Sequence, residues 1–352
     1  MFRSLYSFNR CFSAVSSKSK IIFSGIQPSG IPHIGNYFGA IKNWVQMQQD
    51  ALPEDQVYFG IMSYHALTTQ NNPKILHENI LKGYCSLLAS GLKPTDNSIL
   101  FIQSDIPEHC ELMWILSNLS KLGKLSRMTQ YKDKSKSLQK DDIHLGLLAY
   151  PVLMAADIML YNTTHVPVGE DQIQHVELCR DLVLLFNKQY QTSIPLPIYV
   201  LPEKNEKRIM SLINGSEKMS KSAPSEYSRI LITDTPDHIQ KTIKKAKSDS
   251  LPYITNDENR LEVRNLLTIL SSATNKSIDQ VYEEWNGKTM SQLKPVLSEA
   301  LIECLKPIRE NYELMMKDPE SIRQLMMKEQ SRIHEIASRN MKSIKEAVGL
   351  SF

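Results

Sequence analysis

Between Ile21 and Leu122, short apolar runs alternate with stretches of helical periodicity, and no other feature constrains the fold as much. IIFSGI, QVYFGIMSYHAL and SILFIQ are rich in β-branched and aromatic residues, and the first is ended by the turn-forming Gln27-Pro28-Ser29-Gly30. Between them, the stretch from Gly35 to Gln49 and the segment ILHENILKGYCSLLASGL carry the spacing of amphipathic helices. Strands that return through helices of this length pair in parallel. Past Pro236 the alternation stops and the chain reads as helical almost to its end. Asp318-Pro319 predicts a helix start. Ile322, Met326, Ile333, Ile336, Met341, Ile344 and Val348 form its apolar stripe, and Gly349 is its stop. The expectation is an α/β unit over 21–222 followed by a mainly helical unit over 223–352.

Composition narrows the function classes. With 41% hydrophobic and 22% charged residues, the chain is neither disordered nor collagen-like. A net charge of +3 permits a nucleic-acid partner without demanding one. The five cysteines form no C-x-x-C pair, so they read as reduced thiols and no metal site is expected. The longest apolar region, Ile143 to Ala156, is interrupted by His144 and falls short of the roughly 20 residues a membrane span needs. The expected protein is soluble, with no membrane partner.

The first twenty residues stand apart. They contain Arg3, Arg10, Lys18 and Lys20, many serines and no acid. At a helical pitch, Met1, Leu5, Phe8, Phe12 and Val15 share one face, opposite Arg3 and Arg10. This is the pattern of a mitochondrial presequence over 1–20, and it implies the matrix as destination.

Neither a G-x-G-x-x-G nor a P-loop sequence is present, and there is no H-E-x-x-H. Two other segments carry chemistry. Pro32-His33-Ile34-Gly35-Asn36 directly follows the first strand at a helix start, where backbone N–H groups favour an anion and Gly35 permits close approach. Lys218-Met219-Ser220-Lys221-Ser222 lies in a stretch of low apolar content. Two lysines three apart, with one hydroxyl between them and another directly after, suit a polyphosphate whose charge shifts during reaction. Asp157 is a third candidate, a single acid within Met154 to Leu160 where an unpaired carboxylate would cost several kcal/mol. Two readings stand for it, a structural pair or an acceptor for a buried ligand donor. The basic cluster Lys241, Lys244, Lys245 and Lys247 is either a solvated face or a phosphate contact.

In this order, the two motifs resemble the HIGH and KMSKS signatures of class I aminoacyl-tRNA synthetases. FSGIQPSG, LFIQSDIPEH, RMTQYKDK, YPVLMAADIMLYN, VPVGEDQ and RIMSLINGSEKMSKS further resemble the tryptophanyl-tRNA synthetases of bacterial and mitochondrial type. The departure is Asn36 at the last HIGH position.

The resemblance implies a Rossmann-like catalytic domain, an anticodon-binding helical domain whose last helix packs back on the first, and a homodimer. It implies ATP and Mg²⁺, L-tryptophan and tRNA(Trp), joined through a tryptophanyl-adenylate. Lys218, Lys221, Lys134 and His33 would then be catalytic. Gln27, Gly35, Asn36, Gly169, Glu170, Asp171, Ile209, Met219, Ser220 and Ser222 would border ATP together with Lys218 and Lys221. Asp157 would accept the indole N–H, with Phe23, Gly25, Tyr150, Met154, Val166, Val168 and Gln172 around it; taken alone, each apolar member reads as core before pocket. A tyrosyl-tRNA synthetase, a catalytically idle RNA-binding paralogue and a nucleotidylyltransferase are the competing readings.

Overall fold

The structure, a computed structural model, describes residues 19–69, 72–136, 143–201, 208–257 and 259–351. The presequence reading therefore lies almost wholly outside the described residues. Five parallel strands form one sheet: β1 (Ile21–Ile26), β2 (Gln56–Ile61), β3 (Ser98–Ile102), β4 (His165–Pro167) and β5 (Ile198–Val200), in the order β3-β2-β1-β4-β5. The first three occupy the apolar runs. β4 and β5 leave no such trace, because three residues beside prolines carry no readable alternation.

The helices of the α/β part begin with α1 (Ile34–Asn36), which runs through a π-helical turn (Tyr37–Ile41) into α2 (Lys42–Asp50). Then come α3 (Ser63–Ala66), α4 (Pro73–Ala89), α5 (Glu108–Ser117), α6 (Leu122–Leu125), α7 (Thr129–Lys136), α8 (Leu145–Met159) and α9 (Ile173–Tyr190). The later chain is all helical: α10 (Pro236–Lys245), α11 (Leu261–Thr274), α12 (Ile278–Trp285), α13 (Met290–Lys317) and α14 (Pro319–Val348). Asp318 caps α14 by accepting the Ser321 N–H at 3.2 Å, and Gly349 stops it at φ 78°. Among the described residues no helix is long and apolar enough to cross a membrane.

Strand side chains alternate, so each face of the sheet owns a core. Ile22, Val57, Phe59, Ile61, Leu100 and Ile102 point to one; Phe23, Tyr58, Ile99 and Phe101 point to the other. The first core continues without a break into α10, α11, α12 and α13. The second takes in α8, α9 and, from α14, Ile333, Ala337, Met341 and Ile344. Among the described residues, the buried side chains of the helical region belong to the two cores of the sheet. Backbone pairing also continues beyond Ser222, where Ile34 N–H donates to Ile230 and Ile232 N–H donates to Pro32.

The connections reverse direction between β1 and β4. In an open parallel sheet that switch point leaves a crevice beyond the carboxyl ends of the strands.

Candidate active site at the switch point

One wall of the crevice is the turn and helix start after β1. Gly30 closes the turn at φ 94°, a conformation that favours glycine. His33 then caps α1: its Nδ1 accepts the Asn36 N–H, and the Asn36 side-chain oxygen accepts the His33 N–H, both at 3.2 Å. Asn36 is therefore one half of a reciprocal cap. With Nδ1 accepting, the proton of neutral His33 resides on Nε2, as a donor. Burial, then the charges of Lys221, Lys218 and Arg229, push the His33 imidazole down to about 4, so it is neutral near pH 7. A Cβ on Gly35 would lie 2.9 Å from His33 Nδ1, which is why this position needs glycine.

The lysine motif closes over that wall as a short hairpin. Met210 and Lys218 form an antiparallel bridge, Ser211 N–H donates to Glu217 at 2.8 Å, and Met219 N–H donates to Ile209 at 3.3 Å. Met219 is buried, its Cβ only 3.6 Å from where a side chain on Gly35 would begin, and it anchors the loop between its two lysines. Lys218 stays exposed. Lys221 donates to the Gly30 carbonyl at 2.8 Å and to Ser29 Oγ at 3.1 Å. Burial, then Arg229, lowers its amine to about 8. Ser220 and Ser222 hydroxyls pair at 2.8 Å, and Gln27 is exposed at the end of β1. Ile209 is buried in the core, so only its backbone participates in the hairpin.

The opposite wall follows β4. Gly169, Glu170 and Asp171 are exposed. A Cβ on Gly169 would meet Asp171 Oδ1 at 2.9 Å. Gln130, from α7, donates to the Asp171 carbonyl at 3.0 Å and its carboxylate at 3.1 Å; Gln172 donates to that carboxylate at 2.8 Å. The Lys134 ammonium sits 4.9 Å from the Tyr150 ring centroid, and burial lowers its pKa against the pull of Asp171. The Tyr150 hydroxyl meets Gln130 and His175, and His175 meets Gln172.

Tyr150, Met154 and Asp157 are spaced four and three along α8, hence one face. Asp157 is only 1% exposed. Its Oδ1 accepts from Gln103 Nε2 at 2.8 Å and contacts His109 Nδ1 at 2.7 Å; its Oδ2 accepts from His65 Nε2 at 2.7 Å. His109 Nε2 meets the Tyr161 hydroxyl at 2.9 Å. Burial alone would raise the Asp157 carboxyl, but His109 and His65 overrule it and hold it well below the usual carboxylate range. The structural reading of this acid is what the contacts show; among the described residues Oδ2 meets His65, and a carboxylate oxygen can accept a second hydrogen bond.

The surrounding residues divide. Phe23 and Val166 are buried, Phe23 stacked on Tyr161 at 5.5 Å. Val168, Met154 and Gln172 are partly exposed. Gly25 is open to solvent, although a Cβ there would strike Met62 Cε at 2.6 Å. His65, Gln103 and His109 escape the sequence reading, as does Arg229. The first three follow β2 or β3, and polar residues at the carboxyl ends of successive parallel strands are the available signal.

Residues 16–306 match the family described as tRNA synthetases class I (W and Y). The tryptophan–tRNA ligase of Clostridium perfringens is 40% identical over 336 residues, covering 96% of this chain and 99% of that one. A mitochondrial tryptophan–tRNA ligase of Dictyostelium discoideum is 38% identical over 367 residues, covering 95% and 97%. The solved tryptophanyl-tRNA synthetase of Campylobacter jejuni, complexed with ADP and tryptophan, shares the fold at a TM-score of 0.78 and 33% identity, covering 94% of this chain and 100% of that one.

Proposed function

The chain belongs to the class I tRNA synthetases of the tryptophan and tyrosine branch and is a tryptophan–tRNA ligase; from that premise we propose that it works through a tryptophanyl-adenylate in the mitochondrial matrix. The observation that carries the chemistry is the closure of the lysine hairpin on the first turn, Lys221 Nζ to Gly30 O at 2.8 Å beside the neutral His33. A cation pair over a helix start suits an anion.

In the first step the tryptophan carboxylate attacks the α-phosphorus of ATP. The new carboxyl–phosphorus bond forms as the bond to the β-phosphate bridging oxygen breaks, and that electron pair leaves on pyrophosphate. Lys218 and Lys221 neutralise the leaving charge, His33 donates from Nε2, and Lys134 approaches from the opposite wall. The exposed Gln27, Gly169, Glu170 and Asp171 and the half-buried Gly35 and Asn36 border the nucleotide, with Met219, Ser220 and Ser222 shaping the clamp. In the second step a hydroxyl of the terminal adenosine of tRNA(Trp) attacks the acyl carbon and AMP leaves. Positioning and charge, without a protein nucleophile, suffice for this sequence.

Mg²⁺ fits as the nucleotide's own ion. Among the described residues no group of three His, Cys, Asp or Glu side chains could hold a metal, and Mg²⁺ commonly binds through substrate phosphates with few protein ligands. It supplies further neutralisation of phosphate charge.

Asp157 Oδ2 accepts the indole N–H, a group that can only donate. Tyr150, Met154, Val168, Gln172 and Gly25 line the approach, backed by Phe23 and Val166. For tRNA, Lys241 and Lys244 are the candidate phosphate contacts. Lys245 instead lies 3.4 Å from the Tyr227 ring centroid, and Lys247 pairs with Glu262 at 3.1 Å. A homodimer is supported by Trp114, Leu122 and Leu145, which are 73%, 68% and 77% exposed on α5, α6 and α8. Such side chains are apolar surface for a second copy to cover. The matrix location rests on the acid-free leader and accords with the name of the Dictyostelium relative.

ATP–pyrophosphate exchange with single amino acids tests the adenylate route. Tryptophan alone should support exchange. Tyrosine-dependent exchange would establish the tyrosyl reading, and none with any amino acid the idle paralogue.

A further inference from the structure

The hairpin that carries Lys218 and Lys221 is gripped from the helical side by an amide side chain. Asn265, on α11, is 5% exposed, and its amide lies against the backbone of Met210. Met210 N–H donates to Asn265 Oδ1 at 2.9 Å, while Asn265 Nδ2 donates to the Met210 carbonyl at 3.0 Å and to the Ser211 carbonyl at 3.4 Å. One amide thus satisfies both polar groups of a residue, as a neighbouring strand would. Met210 bridges directly to Lys218 on its other side. The register set by the clamp therefore passes across one backbone pair to the first lysine.

Neighbouring contacts fix the same strand to the helical region. A Cβ on Gly215, at the hairpin tip, would lie 3.0 Å from the Glu262 nitrogen in the first turn of α11. Leu212 N–H donates to Ser228 at 3.0 Å, and Lys247 N–H donates to the Leu212 carbonyl at 2.7 Å. The helix beneath is rigid, since Leu266, Leu267, Ile269 and Leu270 are all in the core. On the crevice side the polar hold is Lys221, bonded to Gly30 and Ser29. The hairpin is strung between a fixed helix and the turn after β1, and Asn265 sets its position at the helix end.

We propose that Asn265 is a positioning residue for adenylate formation: its amide clamp on Met210 places the hairpin so that Lys221 reaches the leaving pyrophosphate. This rests on the role assigned above to Lys221 and adds the group that aims it. Asn265 is buried against Met210, so its effect must run through the lysines of the hairpin.

The test is a double-mutant cycle on single-turnover tryptophanyl-adenylate formation with Asn265→Ala, Lys221→Ala and the pair. Alanine keeps the helix, so α11 should persist. Leaving the Met210 groups unpaired should slow adenylate formation about tenfold or more, with KM for tryptophan unchanged. In the Lys221→Ala background, adding Asn265→Ala should slow the rate several-fold less than it slows the wild type, because coupled residues are non-additive, the remaining effect running through Lys218. Asn265→Asp, which retains the acceptor but sets a carboxylate against two carbonyls, should behave like Asn265→Ala. Full additivity, or an equal fall in tryptophan binding, makes Asn265 merely structural and overturns the proposal. Wild-type rates in Lys221→Ala overturn the lysine assignment and this proposal together. A crippled Lys221→Ala with an additive Asn265→Ala overturns this proposal alone.

Discussion

The two ends of the crevice are built on opposite principles. Around Asp157 every donor is buried and supplied by a different element: Gln103 after β3, His109 from α5 and His65 from α3. Around Lys221 the contacts are few, one lysine is exposed, and the loop hangs between α11 and the turn after β1. A group that recognises one donor of fixed direction gains from rigidity. Groups that follow moving charge need a loop able to shift, so their stability must come from a small number of replaceable contacts.

The largest test of that contrast is Asp157→Ala. Deleting the acid strands the buried His65, His109 and Gln103 without their acceptor, and each buried donor left unsatisfied costs about 1–3 kcal/mol. The expected outcome is a lower thermal midpoint together with loss of tryptophan-dependent exchange, measured by calorimetry and by pyrophosphate exchange. If stability is unchanged, the hub is not what orders this end of the crevice.

Lys221→Ala should do the reverse. Stability should hold, while adenylate formation falls about 10²–10³-fold, the usual loss for one transition-state donor. Transfer from preformed adenylate to tRNA should suffer less, because pyrophosphate has already left. Rapid quench of both steps decides it; a defect confined to transfer would contradict the division of labour.

A smaller effect is expected on pH. Burial lowers Lys221 to about 8, so its charge is lost as pH rises through that value, and kcat/KM for ATP should bend downward there. Lys221→Arg should move the bend to higher pH, since a guanidinium stays charged. The linked stability has the opposite sign. Between about 8 and the ordinary 10.5 the unfolded chain binds more protons, so this site makes the fold more stable as pH rises. An unchanged bend in Lys221→Arg would assign it to another group.

The smallest effect concerns the leader. Removing residues 1–20 should leave aminoacylation in vitro unaltered and abolish import into isolated mitochondria. Import of the shortened chain would show that residues 1–20 are not the address.

The lysine hairpin is legible in the sequence because its residues are contiguous, and 218–222 carry their own pattern. The cap at His33 is legible as a helix start, although not the reciprocal bond that explains Asn36. Asp157 stands out by its contrast with apolar neighbours, while its partners do not. His65, Gln103 and His109 are 92, 54 and 48 residues away from it along the chain, and only the parallel sheet gathers them. How the helical region packs is not legible in the same way. Apolar spacing marks which residues are buried, not against what, and α10 to α14 complete both cores of the sheet.

By itself, then, the sequence determined the strands β1 to β3, the helix starts and stops, and the lysine loop, since each depends on interactions within a few residues. The tertiary structure decided that Asp157 is ionised in a buried hub, that His33 is neutral with its proton on Nε2, and that Lys221 titrates near 8. Those are outcomes of desolvation and of charges brought together from distant segments, and a sum over neighbours exists only once folding has chosen them.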